Sequence, residues 1–195
     1  MNKPKRIGIF GGSFDPVHNG HLELALLAKK EYSLDRVIFV PAYHPPHKKT
    51  RKLTSANHRL KMLKLSLKPY PFFYISHFEL NKKKPVYTYQ TVRYFKDRFK
   101  NSEIFFIMGS DSLAEIKTWK KPSLIASSCA IITGKRAGIV LKQAPFKRSI
   151  LFLTKKIADI SSTQIRENIQ HNKPINKFVP VQVEKHIKTN RIYER

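Results

Sequence analysis

Four apolar runs in this chain lack any polar alternation. They lie in Arg6–Phe10, Val37–Val40, Glu103–Met108 and Ala130–Thr133, and they are rich in Ile, Val and Phe. A strand with one wet face alternates, whereas a strand covered on both faces reads as a continuous apolar run. Two weaker strand candidates are Phe73–His77 and Ile150–Leu153. Helical patterns fill the gaps at Gly20–Glu31, Ser55–Leu67, Thr88–Phe99, Ser112–Trp119 and Ser162–Gln170, with a last one from about Pro180 to Thr189. In Ser55–Leu67, Leu60, Leu63 and Leu67 recur at helical spacing and predict a buried stripe. Strands alternating with helices predict an α/β fold: a Rossmann-like, doubly wound parallel sheet with helices on both faces and a small C-terminal helical part, about 162–195. Ligands of such sheets bind beyond the carboxyl ends of the strands, at the switch point.

The chain has 195 residues, enough for one domain over 1–195. Its single cysteine, Cys129, excludes an intramolecular disulfide and suits a reducing cytoplasm. No apolar segment reaches the roughly 18 residues of a membrane span. The basic N-terminus, Met1 to Arg6, precedes an apolar run too short for a signal peptide. A homo-oligomer is compatible with the sequence. Lys and Arg number 38 against 13 Asp and Glu, a net charge of +25. Such an excess attracts polyanions. The basic residues are scattered, with only short clusters such as Lys82-Lys83-Lys84 and His47 to Lys52, so no dedicated nucleic-acid partner is expected. A substrate carrying phosphates is the competing explanation of the charge.

The first strand runs into Gly11-Gly12-Ser13-Phe14-Asp15-Pro16-Val17-His18-Asn19-Gly20-His21 and then into a helix. Gly11 and Gly12 allow a ligand close to the backbone, with φ values that a Cβ forbids. The following helix start offers N–H groups and a partial positive charge to an anion. His18 and His21, three apart, are placed to aim both imidazoles at the mouth of the sheet. There they can donate to phosphate oxygens and stabilise developing negative charge. The competing use of such a pair is as a helix cap or as packing. The segment is neither a Walker loop nor G-x-G-x-x-G. Near the other end, Ile160-Ser161-Ser162-Thr163-Gln164-Ile165-Arg166 opens a second helix. Ser161 or Ser162 is a suitable N-cap, and Arg166 adds a charge that stays protonated.

These two segments resemble the G-x-F-D-P-x-H-x-G-H and I-S-S/T-T-x-I-R motifs of the nucleotidyltransferase superfamily, whose members transfer AMP or CMP from a nucleoside triphosphate. H-x-G-H alone also resembles class I aminoacyl-tRNA synthetases, but 195 residues leave no room for a tRNA-binding apparatus. Three more segments narrow the resemblance. Pro45-Pro46-His47-Lys48 forms a proline-stiffened loop with two potential phosphate donors. Tyr87-Thr88 enters a helix, with Thr88 a candidate cap. Gly109-Ser110-Asp111-Ser112-Leu113 repeats the strand-glycine-helix theme and is followed by Trp119. With Val183 to Ile187 and the tail Arg191-Ile192-Tyr193, these segments are similar to the nicotinate-nucleotide adenylyltransferase family over essentially the whole chain.

That resemblance implies transfer of AMP from ATP to nicotinate mononucleotide, giving nicotinate adenine dinucleotide and pyrophosphate, in NAD biosynthesis. It implies an ATP side lined by Gly11, Gly12, Ser13, Phe14, His18, His21, Gly109, Asp111, Ile160, Ser161, Ser162 and Arg166. His18, His21 and Arg166 would be the catalytic set. His47, Lys48, Thr88, Trp119 and Arg136 would hold the mononucleotide. Two departures bear on the acceptor: Ala42 stands where the family often has Asn, and Lys135-Arg136-Ala137-Gly138 lacks the proline of an R-R-P-G loop. A phosphate nucleophile needs no base, so positioning and charge stabilisation should carry the rate. Mg²⁺ is expected on the ATP phosphates, with no dedicated protein cage. Asp15 reads as a turn-former before Pro16. The alternatives are an adenylyltransferase for nicotinamide mononucleotide or another phosphorylated acceptor and, from a different class, a basic nucleic-acid-binding protein.

Overall fold

A computed structural model describes residues 4–46, 53–135 and 149–194. Among them lie six strands: β1 (Lys5–Gly12), β2 (Arg36–Pro41), β3 (Phe73–Ile75), β4 (Ser102–Met108), β5 (Ala130–Lys135) and β6 (Ile150–Lys156). They form one sheet in the order β3-β2-β1-β4-β5-β6, and every neighbouring pair is parallel. The helices are α1 (Asn19–Glu31), α2 (Ala56–Leu67), α3 (Phe78–Asn81), α4 (Thr88–Arg98), α5 (Ser110–Ala114), α6 (Pro122–Ser128), α7 (Ser162–Gln170) and α8 (Val181–Thr189). From β1 the chain first winds to one side through β2 and β3, then returns to lay β4 on the other side. The switch point therefore lies between β1 and β4.

The continuous apolar runs are explained by two cores, one on each face of the sheet. Phe10, Phe39, Phe105 and Ile107 meet Leu24 and Ala25 of α1, Met62 and Leu63 of α2, Ile165 of α7 and Val183 of α8. Ile9, Ile38, Val40, Phe106 and Met108 point the other way, onto Val92 and Phe95 of α4, Leu113 of α5 and Ile125 of α6. Successive strand residues thus alternate between cores rather than between core and water. The C-terminal segment joins the first core through Ile175, Val179, Ile187 and Ile192.

Several local expectations are corrected. The buried stripe of α2 is Arg59, Met62, Leu63, Ser66 and Leu67, and Leu60 is only half-buried. β3 stops at Ile75, where Ser76 turns to accept from the N–H of Phe78. The helix expected over Ser112–Trp119 starts at Ser110, ends at Ala114 and gives way to a 3₁₀ turn at Ile116–Thr118. α3 and α6 were not expected. α3 is a four-residue turn in a polar stretch. α6 begins at Pro122, whose fixed φ suits a first helical position, after Lys121 in the left-handed region (φ 53°).

Candidate active site

β1 carries the chain to Gly12, and the reversal follows at once. Neither Gly11 nor Gly12 has a left-handed φ, contrary to the expectation from their type. Their small size is what matters: a Cβ on Gly12 would stand 3.0 Å from the Phe14 ring. Phe14 itself takes the left-handed conformation (φ 48°), and the Asp15–Pro16 bond is cis. The side chain of Phe14, a residue expected on the ATP side, is buried, its ring meeting those of Phe10 and His21 at 5.5 and 5.2 Å.

His18 is the N-cap of α1. Its backbone N–H donates to Nδ1 of His21 at 3.2 Å, and the two rings lie 3.7 Å apart, centre to centre. A nitrogen that accepts carries no proton, so the His21 ring holds its proton on Nε2. One imidazole therefore serves the cap of α1 and lines the cleft. His18 is buried, His21 is half-buried, and both line a cleft of about 270 Å3 at the switch point.

That cleft is walled by both motifs. Gly11, Gly12, Ser13 and Gly20 form one side; Gly109, Ser110, Asp111 and Ser112 form the next; Ile160, Ser161, Ser162 and Thr163 complete it. Ser161 caps α7 by accepting from Gln164 N–H at 3.1 Å. Ser162 Oγ donates to the carbonyl of Pro16 at 2.9 Å. Arg166 Nη1 donates to the carbonyl of Asp15 at 2.8 Å, and Nη2 to Thr163 Oγ1 at 2.9 Å. Arg166 does not itself line the cleft; it fastens α7 to the first turn. A Cβ built on Gly109 would touch nothing within 4 Å, because that position opens onto the cleft.

A second cavity, about 130 Å3, shares Gly11, Gly12, Ser13 and Ser112 with the first. Thr88 and the half-buried Trp119 line it, together with Ala42, Pro45, Pro46, Val86, Glu79 and Glu115. Thr88 is not the cap of α4. Tyr87 takes that place, and its N–H donates to Gln90 Oε1 at 3.0 Å. His47, Lys48 and Arg136 lie outside the described residues.

Residues beyond the motifs hold this arrangement. Arg59, 1% exposed, donates to the carbonyls of Thr54, Ser13 and Tyr43 at 3.0, 2.8 and 3.4 Å. Burial lowers its affinity for a proton, and Asp15 and Tyr193 offset part of that. Asp15, fully buried, accepts from Tyr193 OH at 2.6 Å and from Thr54 N–H at 3.4 Å. Burial and the Asp15 carboxylate push the Tyr193 phenol well above its ordinary range, so it stays a donor. Glu79 is buried and accepts from Thr91 Oγ1 at 2.6 Å; burial raises its pKa to about 7, against the lowering effect of that bond. No group of three His, Cys, Asp or Glu side chains is placed to hold a metal among the described residues. None of their helices is long and apolar enough to cross a membrane.

A family model described as cytidylyltransferase-like matches residues 9–168. A Clostridium botulinum (strain Alaska E43) protein named a probable nicotinate-nucleotide adenylyltransferase is 42% identical over 97% of this chain and 98% of its own length. The nicotinate-nucleotide adenylyltransferase of Bacillus subtilis is 37% identical over 97% and 99%. In fold, the chain is similar to the Plasmodium falciparum nicotinic acid mononucleotide adenylyltransferase solved with NaAD, at a TM-score of 0.81 and 19% identity, covering 97% of each chain. With both motifs facing one cleft and relatives matching from end to end, this chain belongs to the nicotinate-nucleotide adenylyltransferases of the cytidylyltransferase-like family.

Proposed function

We propose that this chain transfers the adenylyl group of ATP to nicotinate mononucleotide, forming nicotinate adenine dinucleotide and pyrophosphate, a step of NAD biosynthesis. The observation that carries the reading is the shared wall of the two cavities. Gly11, Gly12, Ser13 and Ser112 border both, so two ligands occupying them would meet there. The names of the relatives supply the reaction that fits two such ligands.

On this reading ATP occupies the larger cleft, with its phosphates between the start of α1 and the start of α7. A phosphate oxygen of the mononucleotide attacks the α-phosphorus. The bond from that phosphorus to the bridging oxygen breaks, and pyrophosphate leaves with the electron pair. The attacking oxygen is already anionic, so no base has to remove a proton. His21 donates from Nε2 and His18 lies beside it, both where negative charge grows. Ser161, Ser162 and the first N–H groups of α7 face the same phosphates. Arg166 acts by holding α7 against Asp15. Thr88 and Trp119 bound the acceptor ring, with the indole as its stacking surface. Mg²⁺ enters as part of the substrate, on the ATP phosphates; the described residues offer no cage of their own. The cytoplasm fits a chain whose one cysteine, Cys129, is buried and unpaired.

The test is product identification. Purified protein with Mg-ATP and nicotinate mononucleotide should yield equal amounts of pyrophosphate and nicotinate adenine dinucleotide. Pyrophosphate released at the same rate without the mononucleotide would contradict the assignment.

A further inference from the structure

The wall of the acceptor cavity contains a carboxyl group that the transfer reaction does not require. Glu79 comes from α3, is 7% exposed and lines the cavity beside Val86, Thr88 and Trp119. Its hydrogen-bond partner is Thr91 on α4, which donates to Oε1 at 2.6 Å and is itself 1% exposed. The other charged group lining the cavity among the described residues is also acidic, Glu115. His77 and Lys82 flank α3, His44 lies in the loop after β2, and Lys120 places its ammonium over the Tyr87 ring at 4.6 Å. None of these is an ion-pair partner of Glu79.

The reading of this cavity as the acceptor pocket is taken from the proposed function, and the inference rests on it. A nicotinate ring carries a carboxylate, and a nicotinamide ring carries a neutral amide. An ionised Glu79 would face the first with like charge, at a buried site where repulsion is poorly screened. A protonated Glu79 keeps its bond from Thr91 on Oε1 and can donate from its own O–H to an anionic substituent. The amide meets no such conflict, since its NH₂ can donate to the ionised form.

We infer that Glu79 is a specificity-determining residue that admits an acceptor with an anionic ring only together with a proton on its own carboxyl group. Burial places that proton equilibrium near neutrality, with a pKa of about 7. Acceptor choice is therefore linked to pH: the anionic acceptor loses ground to its amide analogue as Glu79 ionises.

The experiment compares kcat/KM for nicotinate mononucleotide with that for nicotinamide mononucleotide from pH 6 to pH 8. The ribose phosphate titrates alike in both, so its contribution cancels in the ratio. In the wild-type enzyme the nicotinate-to-nicotinamide ratio should fall about tenfold across this range, the change in protonated fraction for a group of pKa near 7. In Glu79→Gln, which still accepts from Thr91, the ratio should be flat. A wild-type ratio independent of pH overturns the inference alone, without need of the variant. An unchanged slope in Glu79→Gln also overturns it. Failure of both acceptors to react overturns the acceptor assignment and this inference with it.

Discussion

Arg166 Nη1 and the carbonyl oxygen of Asp15 are joined at 2.8 Å across 151 residues of chain. With the Ser162–Pro16 bond at 2.9 Å, this contact makes the start of α7 and the turn before α1 parts of one wall. The Arg166 fork reaches a carbonyl and the Thr163 hydroxyl together. Arg166→Lys keeps the charge but cannot reproduce the fork. Its KM for ATP should rise about 10- to 150-fold, the effect of losing one charged hydrogen bond of about 1.5–3 kcal/mol. Steady-state kinetics with varied ATP checks this. A lysine variant with wild-type KM would show that charge, not shape, is what the position needs.

His21→Ala removes both an α1 cap acceptor and a donor into the cleft. Turnover should drop about 10²- to 10³-fold, as when one oxyanion donor is lost. The melting transition should shift much less, since a lost cap costs about 1 kcal/mol. Pyrophosphate release and thermal denaturation on the same preparation separate the two effects.

Gly109→Leu should divide function from folding in the opposite sense to a core mutation. The position has open space around a Cβ and an ordinary extended backbone (φ −69°, ψ 155°). Stability should therefore change by no more than about 0.5–1 kcal/mol. The new side chain enters the cleft, so ATP affinity should fall at least about tenfold. Nucleotide titration calorimetry and urea unfolding give the two numbers.

Tyr193→Phe deletes the donor to Asp15 Oδ1. Asp15 is fully buried, so the loss takes a donor from a desolvated carboxylate. The expected cost is about 1–3 kcal/mol. It should be visible as a lower urea midpoint at unchanged slope.

Glu79 gives stability a pH dependence of definite sign. Its carboxyl pKa is raised in the folded chain from 4.5 to about 7. The folded state therefore binds the proton more tightly than the unfolded one. The contribution is fully present below about pH 4.5 and is lost as pH rises through about 7. Between pH 5 and pH 8 the wild type should lose stability relative to Glu79→Gln by roughly 2–3 kcal/mol. Unfolding curves of the two proteins at both pH values test it, and equal differences would contradict it.

The sheet was legible because a strand buried on both faces has one composition, and Ile, Val and Phe supplied it in β1, β2, β4 and β5. The motif turns were legible because His18, His21 and Ser161 act within three residues of their partners, on one local element. What could not be read were contacts between elements distant in sequence. Asp15 looked like a local turn residue, and it accepts from Tyr193, 178 positions away. Arg59 sits in a helix of ordinary polar pattern, yet it is among the most buried side chains. Glu79 precedes Lys82-Lys83-Lys84, which reads as solvated surface, and only its bond to Thr91 on the next helix reveals its burial. α5 ends early because the chain tightens into a 3₁₀ turn at Ile116–Thr118 that brings the Trp119 indole to the second cavity.

On the proposed function a single ATP is held between the start of α1 and the start of α7. A crystal structure with a non-hydrolysable ATP analogue tests it most directly. Triphosphate oxygens should lie within hydrogen-bond distance of both the His18–His21 pair and the Ser161–Ser162 end of α7. An analogue seated elsewhere, or touching only one of the two, would contradict it.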